Sequence, residues 1–168
     1  MNSKWDTLWH NSQTPWDRGL ASPALEELLV DKHFPLLPPG KVGKALIPGC
    51  GRGYDVALFA GLTAEDQRLE KVVGLDVSAK AIEEARKVHE NAPGQVEFVV
   101  GDFFSTTEEW ATQGPYNVVY DYTVRTYRTQ LTSVYVCFET RYATYLGEAN
   151  GRNNCPRDRT FNRIATSS

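Results

Sequence analysis

Between residues 44 and 122 the chain alternates short, almost wholly apolar runs with longer stretches whose apolar residues recur at helical spacing. The short runs are Lys44-Ala-Leu-Ile-Pro48, Lys71-Val-Val-Gly-Leu-Asp76, Val96-Glu-Phe-Val-Val100 and Tyr116-Asn-Val-Val-Tyr-Asp121-Tyr122. These short apolar runs predict four strands. The stretches opening at Asp55 and at Ser78 predict helices, with Ser78 as N-cap of the second. Strands and helices in this alternation predict the α/β class, with a doubly wound parallel sheet. Upstream, Ser22-Pro-Ala-Leu-Glu-Glu-Leu-Leu-Val predicts a helix capped by Ser22 with Pro23 at its first position. Pro35, Pro38, Pro39 and Gly40 close it in a loop.

The first twenty residues follow a different pattern. Trp5, Trp9 and Trp16, three of the four tryptophans, fall in an otherwise polar stretch. Trp5 and Trp9 are i, i+4 and share one face of a short helix, which Thr14-Pro15 is expected to break. Two uses suit them: docking that helix onto the core, or forming an aromatic lid over a ligand. The residues alone leave both open.

Candidate chemistry gathers at the strand ends, where doubly wound sheets bind ligands. Gly49, Gly51 and Gly53 follow the first run. Asp76 ends the second, 27 residues after Gly49, the separation expected of an acid that accepts from ribose hydroxyls. Asp102 follows the third and can meet an amine such as the adenine N6. A tight turn with two helix-capping acids is the bland alternative. A dinucleotide fingerprint places its third glycine one residue later, where this chain has Tyr54. The ligand implied is therefore an adenosine without a pyrophosphate, S-adenosyl-L-methionine over NAD.

Composition narrows the partners. The chain has 41% hydrophobic and 23% charged residues, ordinary for one folded unit. No apolar run approaches the roughly 18 residues of a membrane span, and no secretory leader is visible at Met1 to Asp6. A net charge of −3 argues against nucleic acid as main partner. Three cysteines without a CxxC spacing give neither a disulfide framework nor a zinc site, which fits a reducing cytoplasm. His10, His33 and His89 lack metal-binding spacing, so no metal is expected.

The elements Trp5-x3-Trp9, Thr14-Pro-Trp-Asp-x-Gly19, Pro48-Gly-Cys-Gly-Arg-Gly-Tyr-Asp-Val56, Gly74-Leu-Asp-Val-Ser78, Gly101-Asp-Phe-Phe104 and Asp121-Tyr-Thr123 together resemble the thiopurine and thiol methyltransferase family. The resemblance spans residues 5–123 and implies a Rossmann-like class I methyltransferase sheet. It implies cofactor contacts from Trp5, Trp9, Trp16, Gly49, Asp76, Asp102, Phe103 and Tyr122, and so favours the lid. The implied reaction is in-line attack on a sulfonium methyl by a thiol, a thiopurine or, as in plant members, halide or thiocyanate. Such soft nucleophiles need little acid–base help, so positioning carries the rate and no catalytic residue is nominated. Asp121 orients a nucleophile or caps the fourth strand. A monomer acting on a small molecule is expected; an NAD(P) oxidoreductase and an inactive chain that at most binds cofactor are the alternatives.

Charge marks a seam near Thr123. Residues 1–123 carry 11 basic and 18 acidic residues, whereas residues 124–168 carry seven arginines, no lysine and three acids. The motifs stop at the same place, so the chain divides into a cofactor-binding domain, 1–123, and a divergent tail, 124–168. Ser133 to Phe138 is the tail's one credible strand. Leu146-Gly-Glu-Ala-Asn-Gly-Arg-Asn-Asn-Cys-Pro-Arg-Asp158 is compatible, one nucleotide out of frame, with Trp-Ala-Lys-Arg-Met-Ala-Glu-Ile-Ile-Ala-Pro-Gly. That is the helix and turn the family places after its fourth strand. Val124-Arg125 is compatible with GTACGT, an intron 5′ end. The reading is an out-of-frame tail, a sheet lacking its later strands and an exposed edge at the fourth.

Overall fold

The computed structural model describes residues 4–30, 36–37, 40–62, 68–105, 108–121 and 133–136. Four strands, β1 (Val42–Pro48), β2 (Arg68–Asp76), β3 (Val96–Val100) and β4 (Val118–Asp121), lie parallel, and β5 (Ser133–Val136) pairs antiparallel with β4. The sheet order is β3-β2-β1-β4-β5. From β1 the chain moves outward through β2 to β3, then returns to the other side of β1. The switch point therefore lies beyond the carboxyl ends of β1 and β4.

Alternation along the strands builds a core on each face. Ala45, Ile47, Val72, Val118 and Tyr120 face α2 (Pro23–Val30), α3 (Tyr54–Ala60) and α4 (Ala79–Val88), through Leu25, Val56, Phe59, Ile82 and Ala85. Leu46, Val73, Leu75 and Val119 face the other way, onto Phe103, Tyr116 and Trp110 of α5 (Glu109–Thr112). Burial on both faces is why these strands read as continuous apolar runs.

Several boundaries differ from the expected ones. β1 and β2 begin earlier, because Val42 and Gly43 already pair with Arg68 and Leu69. α1 (Lys4–His10) stops before Thr14-Pro15. Ser12 takes φ 54°, with Ser12 N donating to Trp9 O and Gln13 N to Leu8 O, a Schellman stop with serine where glycine is usual. Ser22 precedes α2 as expected, yet its hydroxyl is buried without a partner among the described residues. Its carbonyl instead accepts from Leu25 and Glu26. Ser78 does cap α4, its Oγ accepting from Ala81 N at 3.2 Å. The edge of β4, expected to be open, is covered by β5 from within the expected tail strand. No helix among the described residues is long and apolar enough to cross a membrane.

Candidate functional site

The loop after β1 turns sharply on three glycines with positive φ, Gly49 at 62°, Gly51 at 53° and Gly53 at 78°. A left-handed backbone here costs a residue with a Cβ about 1–2 kcal/mol, and at Gly53 a Cβ would also lie 2.5 Å from the Phe98 ring. The turn aims backbone amides across the ends of the strands. Cys50 N donates to Leu75 O at 3.1 Å, and Gly101 N to Asp76 O at 2.9 Å. Loops following β1, β2 and β3 are thereby tied together at one end of the sheet.

Asp76 stands at the centre of this junction, with 8% of its surface exposed. Oδ2 accepts from Gly51 N at 3.1 Å and Oδ1 from Ser78 N at 2.9 Å. Burial raises its pKa, an effect those amides partly offset. Each carboxylate oxygen has capacity beyond one amide, so the group can accept further donors. The Cys50 thiol is pushed well up by burial and then by the Asp76 charge, which makes it a poor nucleophile at neutral pH.

The tryptophans gather beside the glycine turn. Trp5 meets Trp16 edge-on at 5.3 Å between ring centroids, and Trp9 meets Trp16 at 6.4 Å. Trp9 is 6% exposed, whereas Trp5 and Trp16 are 37% and 40% exposed. The Trp9 ring borders Gly51, 3.5 Å from where a Cβ would stand. Arg52 lies over that ring at 5.5 Å and pairs with Asp17 and Glu84. One basic residue of the glycine turn thus clasps the segment that carries the tryptophans.

Of the residues singled out in the sequence, Trp9, Gly49 and Asp76 belong to the glycine-turn junction, with Trp5 and Trp16 packed around Trp9. Asp102 follows β3, exposed, with Oδ1 accepting from Phe104 N at 2.9 Å. The Phe103 ring is buried and stacks on Trp110 at 5.9 Å, so it serves the core beside the site. Tyr122 lies outside the described residues, as does His33. His89 stacks on Phe98 and its Nε2 donates to Arg52 O at 3.0 Å, supporting the turn from behind. The described residues hold no cluster of metal-ligating side chains. Sequence reasoning passed over Asp6, Asp17 and Arg52, whose partners lie far along the chain; the only signal was their place inside the tryptophan and glycine motifs.

Among solved structures, the chain is similar in fold to an S-adenosylmethionine-dependent methyltransferase from Thiobacillus denitrificans in complex with S-adenosyl-L-homocysteine. The TM-score is 0.51 and identity 18%, over 88% of this chain and 51% of the other. One from Anabaena variabilis gives a TM-score of 0.50 and 23% identity over 71% of this chain and 47% of that one. In sequence it is 35% identical to thiocyanate methyltransferase 1 of Brassica oleracea over 122 residues, 71% of this chain and 47% of the relative. It is 34% identical to the probable thiol methyltransferase 2 of Arabidopsis thaliana, over 71% and 46% of the two chains. The chain thus spans about half the length of the curated relatives it matches. Its motifs fall within the stretch, residues 1–127, that matches the thiopurine S-methyltransferase family profile, and the chain belongs to that family.

Proposed function

We propose that the chain binds S-adenosyl-L-methionine at the glycine turn and supports methyl transfer to a thiol or a similar soft nucleophile such as thiocyanate. The observation that carries this reading is the Gly51–Asp76 junction at the switch point, bordered by the tryptophan cluster. The residues present fit the cofactor. Asp76 accepts from ribose hydroxyls while its amide partners hold it in place, and the Cβ-free turn lets backbone approach a ligand closely. Asp102, exposed after β3, would meet the base, and the buried Phe103 would back it from the core. The bound cofactor supplies an electrophilic methyl group on a sulfonium sulfur. Trp5 and Trp16, each more than a third exposed, would offer aromatic faces to that cation, each contact worth about 0.5–2 kcal/mol, while the buried Trp9 seats them beside the turn. No general base is assigned, because a thiolate attacks without one.

The names of the plant relatives support a small thiol or thiocyanate as acceptor; action as a monomer in the cytoplasm is proposed on the sequence alone. A second reading, a chain that binds cofactor without turnover, draws on its covering about half of those relatives. Calorimetry with S-adenosylhomocysteine followed by a methyl-transfer assay on a simple thiol separates the two. Binding with turnover is expected; binding without turnover establishes the second reading, and absence of binding overturns both.

A further inference from the structure

Ser78 joins two parts of the molecule that lie far apart in sequence. Its amide donates to Asp76 Oδ1 at 2.9 Å, and its hydroxyl donates to Asp6 Oδ1 at 2.7 Å. Ser78 is fully buried. The same Asp6 oxygen lies 3.4 Å from the amide of Lys80, so a side chain from α1 supplements the cap of α4. Asp6 sits between Trp5 and Trp9 on α1, and Trp9 borders Gly51, whose amide returns to Asp76. The contacts close a ring: Asp6, Ser78, Asp76, Gly51, Trp9 and back along α1.

We propose that Asp6 is a positioning residue, which seats the tryptophan helix over the glycine turn and fixes Ser78 so that Asp76 points at the ribose. The inference rests on the reading of Asp76 and the turn as a nucleoside site. Apolar burial of Trp9 supplies attraction without direction, whereas a carboxylate accepting from Ser78 and the first turn of α4 fixes the register of α1. Occupation of the site and docking of α1 then favour one another, because both depend on the orientation of Asp76.

The test compares the full wild-type chain with Asp6→Ala, Asp6→Asn and Ser78→Ala. S-adenosylhomocysteine affinity is read by calorimetry, tryptophan exposure by acrylamide quenching, and folding by circular dichroism. Asp6→Ala is expected to bind about tenfold more weakly and to quench more readily. Asp6→Asn keeps an acceptor oxygen and recovers most of both. The Asp6→Ala and Ser78→Ala losses are expected to fall short of adding in the double variant, since both cut one link. A folded Asp6→Ala chain that binds as tightly as wild type overturns the inference alone. So does a folded Asp6→Asn chain that binds about tenfold more weakly than wild type, and this comparison carries the test if Asp6→Ala fails to fold. A wild-type chain that does not bind overturns the underlying reading and this inference with it.

Discussion

The amide of Gly51 donates to Oδ2 of Asp76 at 3.1 Å, so the turn after β1 and the end of β2 are held by one hydrogen bond across the switch point. Replacing Asp76 by alanine removes an acceptor from the ligand and leaves the amides of Gly51 and Ser78 without their partner. Hydrogen bonds to charged groups are worth about 1.5–3 kcal/mol each. Asp76→Ala is therefore expected to weaken S-adenosylhomocysteine binding by one to two orders of magnitude. Asp76→Asn, which keeps one acceptor oxygen, should fall between it and wild type. Titration calorimetry checks this, and equal affinities would remove Asp76 from the site.

Gly51 and Gly53 of the turn differ in what surrounds them, which gives an internal control. Gly53 has φ 78°, and a Cβ there would meet the Phe98 ring at 2.5 Å and 2.7 Å. Gly51 has φ 53°, but its nearest neighbour is Trp9 at 3.5 Å. Gly51→Ala carries backbone strain alone, about 1–2 kcal/mol. Gly53→Ala adds overpacking of a further 1–3 kcal/mol. Urea unfolding should order the chains as wild type, Gly51→Ala, Gly53→Ala, and the reverse order of the two variants would contradict this account of the turn.

Arg52 pairs with Asp17 and Glu84 and covers one face of Trp9. It keeps 30% of its side-chain surface in water, so its ion pairs add little stability, at most about 1 kcal/mol. Arg52→Met should thus leave the unfolding midpoint nearly unchanged. Its effect is expected on the tryptophan segment, as increased quenching of Trp9 and weaker cofactor binding. A large stability loss with unchanged quenching would show that Arg52 supports the core instead of the lid.

The strands and the glycine turn were legible because burial on both faces leaves an apolar run, and because the acids ending the runs stand where the chain leaves the core. The spacing from Gly49 singles out Asp76, and the structure ties that residue to the glycine turn through Gly51. No spacing singles out Asp6, because its partner Ser78 lies 72 residues away and nothing in either neighbourhood marks the pairing. The end of α1 was misplaced for a local reason: Ser12 adopts the left-handed conformation that composition assigns to glycine. The motif marks Phe103 without showing that its ring stacks on Trp110, a residue seven positions further along the chain. Strand polarity is a further limit, since an apolar run such as β5 carries no sign of whether it pairs parallel or antiparallel.

Acid affects Asp76 in two opposite ways. Burial raises its folded pKa, so the folded chain takes up this proton more readily than the unfolded one. The contribution of this group to stability is then full below its unfolded value and is lost as pH rises through the raised folded value. Ligand hydroxyls require the ionised form, so affinity declines as pH falls through that same raised value. Wild type is expected to gain stability relative to Asp76→Asn on acidification in this window while losing affinity for S-adenosylhomocysteine. Thermal unfolding and calorimetry over the same pH series check the two trends. Affinity that holds constant down to the ordinary aspartate range would contradict them.

The family match ends at residue 127, close to the change in charge at Thr123, and an out-of-frame tail would account for both. Leu146 to Asp158 is compatible, over twelve codons shifted by one nucleotide, with the helix and turn that the resemblance implies after the fourth strand. Pairing of β5 with β4 does not contradict this, because any short apolar run can add to an open strand edge. The transcript across codons 120–150 is expected to contain a spliced or frame-restored form that continues the family pattern after Thr123. A chain made from that form should bind S-adenosylhomocysteine more tightly and unfold at higher urea than the 168-residue chain, since it completes the sheet. If every transcript reads through in the present frame, the tail is the protein's own sequence, and the positive charge after Val124 requires a different explanation.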